Sequence, residues 1–413
     1  MEYFLYFSLF LTLYFQIFLL LSVWEKTENN KRENKETTSS IEKVPFLSTT
    51  IIVPCYNEEA TVHRTLQSLL ELEGPLDKIT ILVVDDGSTD KTWEVLQAYK
   101  HEPRIKLMQK ENEGSKFAAL NFALQYIDSD LVGVLDADSW VSSDALKNYM
   151  EFFADPEVMA TIPSMVIAEP DSFLRHAQKA EYDVGLFARK AFSKLNAIYI
   201  TPGPFSVFRK YVFDTLGPYK EAHHTEDAEI ALRMQKNGYK IAYSENSIVY
   251  TVGPKGLGAL IKQRVRWTYG FIRNVFDYRE FLFNKKYRSL GLIILPIGLF
   301  RIFLTAVLFP LSLWLFFFPL WEWIQKKMVV GFSFPSSFTF DWFFVGVNQL
   351  QIFSFIALVL MIVSLWVGRD LVRDKKRVSF DIISMIIMYT FISPLWLIQS
   401  SYNALTAKKG TWR

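Results

Sequence analysis

Residues 78–90 read KITILVVDDGSTD, a continuous run of β-branched and apolar residues that stops in an acidic, glycine-containing turn. Such a run is too short and too uniformly apolar for an amphipathic surface helix; it reads as a strand buried on both faces. The same signature occurs in TTIIVPCYN (49–57), RIKLMQ (104–109) and DLVGVLDAD (130–138). Segments 58–71, 90–100, 115–127 and 142–153 read as helices between these strands. Strand–helix alternation predicts an α/β fold with a mostly parallel sheet and helices on both faces. Ligands of such sheets bind beyond the carboxyl ends of the strands. The polar clusters Pro54–Glu59, Asp85–Asp90 and Leu135–Ser139 fall at those ends.

Outside this core the composition changes. Half of the 413 residues are hydrophobic and 16% are aromatic, while 21% are charged, which excludes a disordered chain. A net charge of +2 gives no basic field for nucleic acid, and the single cysteine, Cys55, excludes an internal disulfide or a cysteine-cluster metal site. Residues 3–24 carry no charge and are long enough to cross about 30 Å of hydrocarbon as a helix. Glu2 before this stretch and Val23-Trp24 at its end read as an uncleaved anchor, not a signal peptide. Residues 25–43 are a polar linker, and further apolar stretches lie near 290–320, 343–367 and 380–406.

The expected plan is therefore an N-terminal transmembrane helix (1–24), a linker (25–47), a globular domain (48–287) and a C-terminal transmembrane region with a tail (288–413). Lys26, Lys31, Arg32 and Lys35, and the basic loop of Arg369, Arg373, Lys375, Lys376 and Arg377, place the domain on the cytoplasmic side of a multi-pass cell (inner) membrane protein. Pro394 divides the last stretch into arms too short to span, which predicts a re-entrant hairpin with Lys408, Lys409 and Trp412 inside. Residues 172–193 show helical apolar spacing opposite Arg175, Lys179, Arg189 and Lys190, suiting either the membrane interface or packing on the domain's own sheet. His63, His101 and His176 are isolated and carry no signal.

A lone D-x-D in a loop is commonly a turn or a helix cap. Here Asp136-Ala137-Asp138 occurs with P-C-Y-N-E at 54–58, D-D-G-S at 85–88, Lys116 ahead of Ala119-Leu120-Asn121, Thr225-Glu226-Asp227, and Gln263-Arg264-Val265-Arg266-Trp267. In this order the motifs resemble the inverting family-2 glycosyltransferases of the GT-A fold. More narrowly, they resemble the membrane-embedded synthases of cellulose, chitin, hyaluronan and poly-N-acetylglucosamine. Ser115 departs from the family's usual glycine before the lysine.

The resemblance implies a UDP-sugar donor, with Tyr56 on the uracil face, Asp86 on its imide edge and Glu58 nearby. It assigns Asp138 to a Mg²⁺ or Mn²⁺ ion, and Asp136 to the same metal, the ribose or the metal-bound diphosphate. Lys116 and Arg266 add positive charge on the diphosphate, and Glu226 lies beside the substrate. Asp227 is the family's base, which fits a carboxylate taking a proton from a poor hydroxyl nucleophile, although acidic residues also open helices for electrostatic reasons. Gln263 and Trp267 are implied to hold the acceptor sugar, and the loop Thr201–Ser206 to lie at the acceptor end. His223 and His224 read either as metal ligands or as solvated loop residues.

The implied activity is hexose or N-acetylhexosamine transfer to a growing polysaccharide; the alternative is transfer to a membrane lipid acceptor. Membrane lipids are expected partners, and four apparent spans are few for a channel, which points to a homo-oligomer or a partner membrane protein. Walker and Rossmann glycine motifs are absent, arguing against an ATPase or a dehydrogenase.

Overall fold

The structure is a computed structural model that describes residues 2–36, 45–331, 348–372 and 379–406. Its elements are α1 (Glu2–Glu36), β1 (Thr49–Cys55), α2 (Val62–Leu70), β2 (Ile79–Asp85), α3 (Thr92–Gln97), β3 (Ile105–Gln109), α4 (Lys116–Leu124), β4 (Leu131–Val134), β5 (Ser139–Val141), α5 (Ala145–Phe153), β6 (Val158–Ile167), α6 (Phe173–Lys194), β7 (Ser206–Arg209), α7 (Lys210–Leu216), α8 (Glu226–Lys236), β8 (Lys240–Thr251), α9 (Leu257–Asp277), α10 (Leu295–Val330), α11 (Gln349–Leu371) and α12 (Ser379–Leu405).

The eight strands form one sheet in the order β3-β2-β1-β4-β7-β6-β8-β5. The β1–β2, β2–β3, β1–β4 and β6–β8 pairs are parallel, whereas β7 runs antiparallel to both β4 and β6, and β5 to β8. Alternation along the strands explains two cores. Ile51, Val53, Ile81 and Val83 pack with α2 and α5 on one face, and Ile52, Leu82 and Val84 pack with α4 and α8 on the other. Burial on both faces is why these strands read as uninterrupted apolar runs.

Among the described residues, four helices are long and apolar enough to cross a membrane: Tyr3–Trp24, Leu290–Val330, Gln349–Leu371 and Phe380–Leu405. The second is longer than the sequence suggested and continues past Pro310 and Pro319. The last corrects the hairpin expectation, because α12 passes through Pro394 as one helix. A proline is tolerated in an apolar helix where neighbouring helices and hydroxyls compensate for its missing hydrogen bond. Here α12 packs on α6, α9 and α10, and Ser393 Oγ donates to the Tyr389 carbonyl at 2.5 Å. Lys408, Lys409 and Trp412, and Arg373, Lys375, Lys376 and Arg377, lie outside the described residues.

Helix α6 packs on β6 and β8 on one side and on α11 and α12 on the other. The cationic face of α6 is partly enclosed, since Arg175 and Lys179 are each only 5% exposed. Arg175 Nε donates to the Gly253 carbonyl at 3.0 Å and its guanidinium pairs with Asp171. His176 is not isolated either: its Nδ1 lies 2.5 Å from Asp381, and Arg369 bridges Asp381 to Asp183 in a buried group.

Candidate active site

The first two strand ends are stitched together by Asn57, which adopts the left-handed φ of 57° that asparagine tolerates. Its Oδ1 accepts from Thr89 N at 2.8 Å, and its own N–H donates to Ser88 Oγ at 3.0 Å. Tyr56 and Glu58, both half-buried, flank it. Thr61 Oγ1 donates to Glu58 Oε2 at 2.8 Å.

The adjacent aspartates after β2 are separated in role by their partners. Asp85 accepts from Ser88 Oγ at 2.5 Å and Gln109 Nε2 at 2.9 Å, so it closes the turn. Asp86 is buried and pairs with Lys110 Nζ at 2.8 Å, and Lys110 also reaches Glu113. Burial opposes charge on Lys110, but the two carboxylates outweigh it and hold the ammonium above its usual value. Lys110 was not singled out in the sequence; its only signal was its place directly after β3.

The third cluster joins residues from four elements. Lys116 opens α4 and pairs with Asp136 after β4, while Glu226 of α8 lies 3.9 Å from its ammonium. Burial alone would lower the Lys116 pKa; Asp136 and Glu226 raise it instead. Gly203 backs this pair, since a Cβ there would sit 2.9 Å from an Asp136 carboxylate oxygen. The loop is therefore glycine-bearing because it approaches Lys116 and Asp136, rather than for close approach to a sugar alone.

Asp227 lies in the first turn of α8, where its Oδ1 accepts from Ala228 N at 2.9 Å. Its carbonyl receives Thr201 N at 3.1 Å and Thr201 Oγ1 at 2.9 Å, fixing the Thr201–Gly203 loop to the helix start. Burial and then Glu226 push the Asp227 carboxyl up to about 7, against the opposing charges of Lys116 and Arg266. A carboxyl poised near neutrality can accept a proton at physiological pH.

Asp138 is solvent-accessible between the cleft walls. Desolvation by those walls, then repulsion from Asp136 and Glu58, raises it to about 6. Among the described residues no group of three histidine, cysteine, aspartate or glutamate side chains forms a ready-made metal centre. Asp136 and Asp138 nonetheless fit a hard divalent cation, which commonly takes one or two carboxylates and completes its shell with phosphate oxygens and water. The mutual repulsion at Asp138 is what such an ion would relieve. His223 does not join them: its Nε2 meets Asp277 at 2.8 Å.

The Gln263–Trp267 stretch lies on α9, so its residues divide between faces. Gln263 and Trp267 meet Arg264, whose Nη1 donates to Gln263 Oε1 at 2.7 Å and whose guanidinium carbon lies 4.2 Å from the Trp267 ring centroid. Arg266 faces the other way, lining a cavity of about 360 Å³ with His223, His224, Tyr269, Gln399 and Asn403. The structure thus brings Glu58, Asp136, Asp138, Lys116, Glu226, Asp227 and Arg266 into one electrostatic neighbourhood. Asp86 is paired at the far end of the sheet order with Lys110.

Residues 50–217 match Glycosyl transferase family 2. A poly-beta-1,6-N-acetyl-D-glucosamine synthase of Staphylococcus epidermidis is 27% identical over 99% of this chain and 96% of its own length. A synthase of the same name from Staphylococcus aureus (strain COL) is 30% identical over 57% of each chain. Among solved structures, a mannosyltransferase from Pyrobaculum calidifontis in complex with GDP-Man and Mn²⁺ superposes with a TM-score of 0.52 at 18% identity, covering 96% of this chain and 99% of its own. That likeness is one of fold. Residues 50–217 therefore form a family 2 glycosyltransferase domain, and the chain shares the GT-A fold of the mannosyltransferase.

Proposed function

We propose that this enzyme transfers N-acetylglucosamine from UDP-N-acetylglucosamine to a growing β-1,6-linked N-acetylglucosamine polymer at the cytoplasmic face of the membrane, with inversion at the anomeric carbon. The observation that carries the reading is the match to a poly-beta-1,6-N-acetyl-D-glucosamine synthase along almost the entire chain, apolar helices included.

Asp227 accepts the proton of the acceptor hydroxyl as its oxygen bonds to the anomeric carbon. The bond from that carbon to the diphosphate breaks on the opposite face, and UDP departs with the bonding electrons. Lys116 and Arg266 meet the charge that grows on the diphosphate, Arg266 with a planar fork that lysine cannot supply. Tyr56 stacks on the uracil, Asp86 accepts its imide hydrogen with Lys110 holding the carboxylate in place, and Glu58 lies alongside. Gln263 and Trp267 hold the terminal acceptor sugar. Asp138 and Asp136 would hold Mg²⁺ or Mn²⁺, which supplies Lewis-acid neutralisation of the leaving diphosphate.

The test is product analysis by mass spectrometry after incubating purified enzyme, in bilayers, with individual UDP-sugars. A ladder of long N-acetylglucosamine chains formed from UDP-N-acetylglucosamine alone is expected. A product of one or two sugars on lipid would replace the polymer by the glycolipid reading.

A further inference from the structure

Arg264 touches both residues assigned to the acceptor, and its own position is set from elsewhere. Its Nη2 pairs with Glu181 Oε2 of α6 at 2.6 Å, and its side chain is only 5% exposed. The same Glu181 oxygen accepts from the hydroxyl of Tyr389, which belongs to the apolar helix α12. Tyr389 is in turn set edge-on against buried Trp396, with ring centroids 5.5 Å apart.

The consequences reach the cleft through the rigid guanidinium fork. By donating to Gln263 Oε1, Arg264 fixes the amide so that its NH₂ end is the one presented to a sugar hydroxyl. By lying against one face of Trp267, it leaves the other for a pyranose ring, and Trp267 is 38% exposed. A planar fork that serves Gln263, Trp267 and Glu181 together cannot shift for one without shifting for all.

We propose that Glu181 and Tyr389 are positioning residues that set the acceptor platform through Arg264, so that helix α12 orients the side chains holding the saccharide acceptor. This rests on the reading of Gln263 and Trp267 as acceptor contacts. Neither Glu181 nor Tyr389 needs to touch substrate. The contact between them joins residues 208 positions apart in sequence, and gives the apolar region a direct hold on the site of elongation.

The experiment uses the full chain in bilayers, with UDP-N-acetylglucosamine as donor and a short β-1,6-linked N-acetylglucosamine oligosaccharide as acceptor probe. Glu181→Gln and Tyr389→Phe should each raise the acceptor KM about tenfold, the scale of losing a supporting contact. Donor Kd should stay within about twofold, and products should shorten. The double variant should be no worse than the more severe single one, because both act on one guanidinium. An unchanged acceptor KM, or donor Kd rising in step with it, would overturn the proposal, the latter marking a merely structural tie. Trp267→Ala separates the two levels: if it leaves acceptor KM unchanged, the platform reading fails. If it raises acceptor KM while Glu181→Gln does not, only the relay fails.

Discussion

At the scale of single residues, the proposed mechanism turns on whether Asp227 is ionised. Because burial and Glu226 raise its carboxyl to about 7, activity in the ligand-free enzyme's kcat/KM should rise with pH through an acid limb near 7. Asp227→Asn should lower kcat by about 10² to 10⁴ while UDP binding by calorimetry is retained. The same shift has a stability consequence. An acid whose folded pKa exceeds its unfolded value of 3.8 contributes stability that is present below 3.8 and lost as pH rises through about 7. The melting temperature of Asp227→Asn should therefore exceed that of the wild type by a margin that widens up to about pH 7 and then levels off. A margin that shrinks with rising pH would contradict the assignment. Asp138→Ala tests the other carboxylate: it should weaken Mn²⁺-dependent UDP binding at least about tenfold and leave metal-free binding alone. These residues were legible because each sits in a short local motif. Lys110, Glu181 and Tyr389 were not, since their partners are met only through folding; a lysine after a strand looks like any solvated cation.

At the scale of elements, the site is where three loops and two helix starts converge, and Gly203 shows how tightly. Gly203→Ala would place a methyl against Lys116 and Asp136, forcing the pair apart. We expect kcat to fall by about tenfold or more, with the melting temperature changed by only a few degrees, since the glycine places no side chain in either hydrophobic core. Unaltered turnover by that variant would show that the Lys116–Asp136 pair tolerates displacement. The parallel strands β1, β2 and β4 were readable because burial on both faces leaves an unbroken apolar signature. Strands β5 and β7 were not, being three and four residues long, with β7 inserted antiparallel between β4 and β6 after a long helical excursion. Pro394 misled for a different reason. A proline's cost in water is read from sequence alone, whereas its tolerance depends on the helices packed around it.

At the scale of the whole molecule, the question is on which side of the membrane the chain leaves α12. If α10, α11 and α12 all crossed, the residues after α12 would emerge opposite the catalytic domain. The contacts of α12 argue otherwise. Asp381 near its start meets His176 of α6, Tyr389 meets Glu181 of α6, and Ser400 Oγ lies 3.3 Å from the Val265 carbonyl of α9. Those contacts extend over about 28 Å at 1.5 Å per residue, so the helix lies along the catalytic domain instead of leaving it. Its exposed residues agree: Phe380, Ile383, Ile387, Phe391, Leu395 and Tyr402 form an apolar stripe, while Asp381, Ser384 and Ser400 are buried on the protein side. One apolar face and one face held to protein keep α12 against the catalytic domain along its length. The residues after α12 should thus stay on the catalytic side, as the hairpin expectation also held, though by a different path. In a Cys55→Ser background, a cysteine at position 411 should resist an impermeant thiol reagent in intact cells and react once the membrane is opened, whereas one at position 2 should react in both. Ready labelling at position 411 in intact cells would mean that α12 crosses, and that its contacts with α6 and α9 do not hold it at the catalytic face.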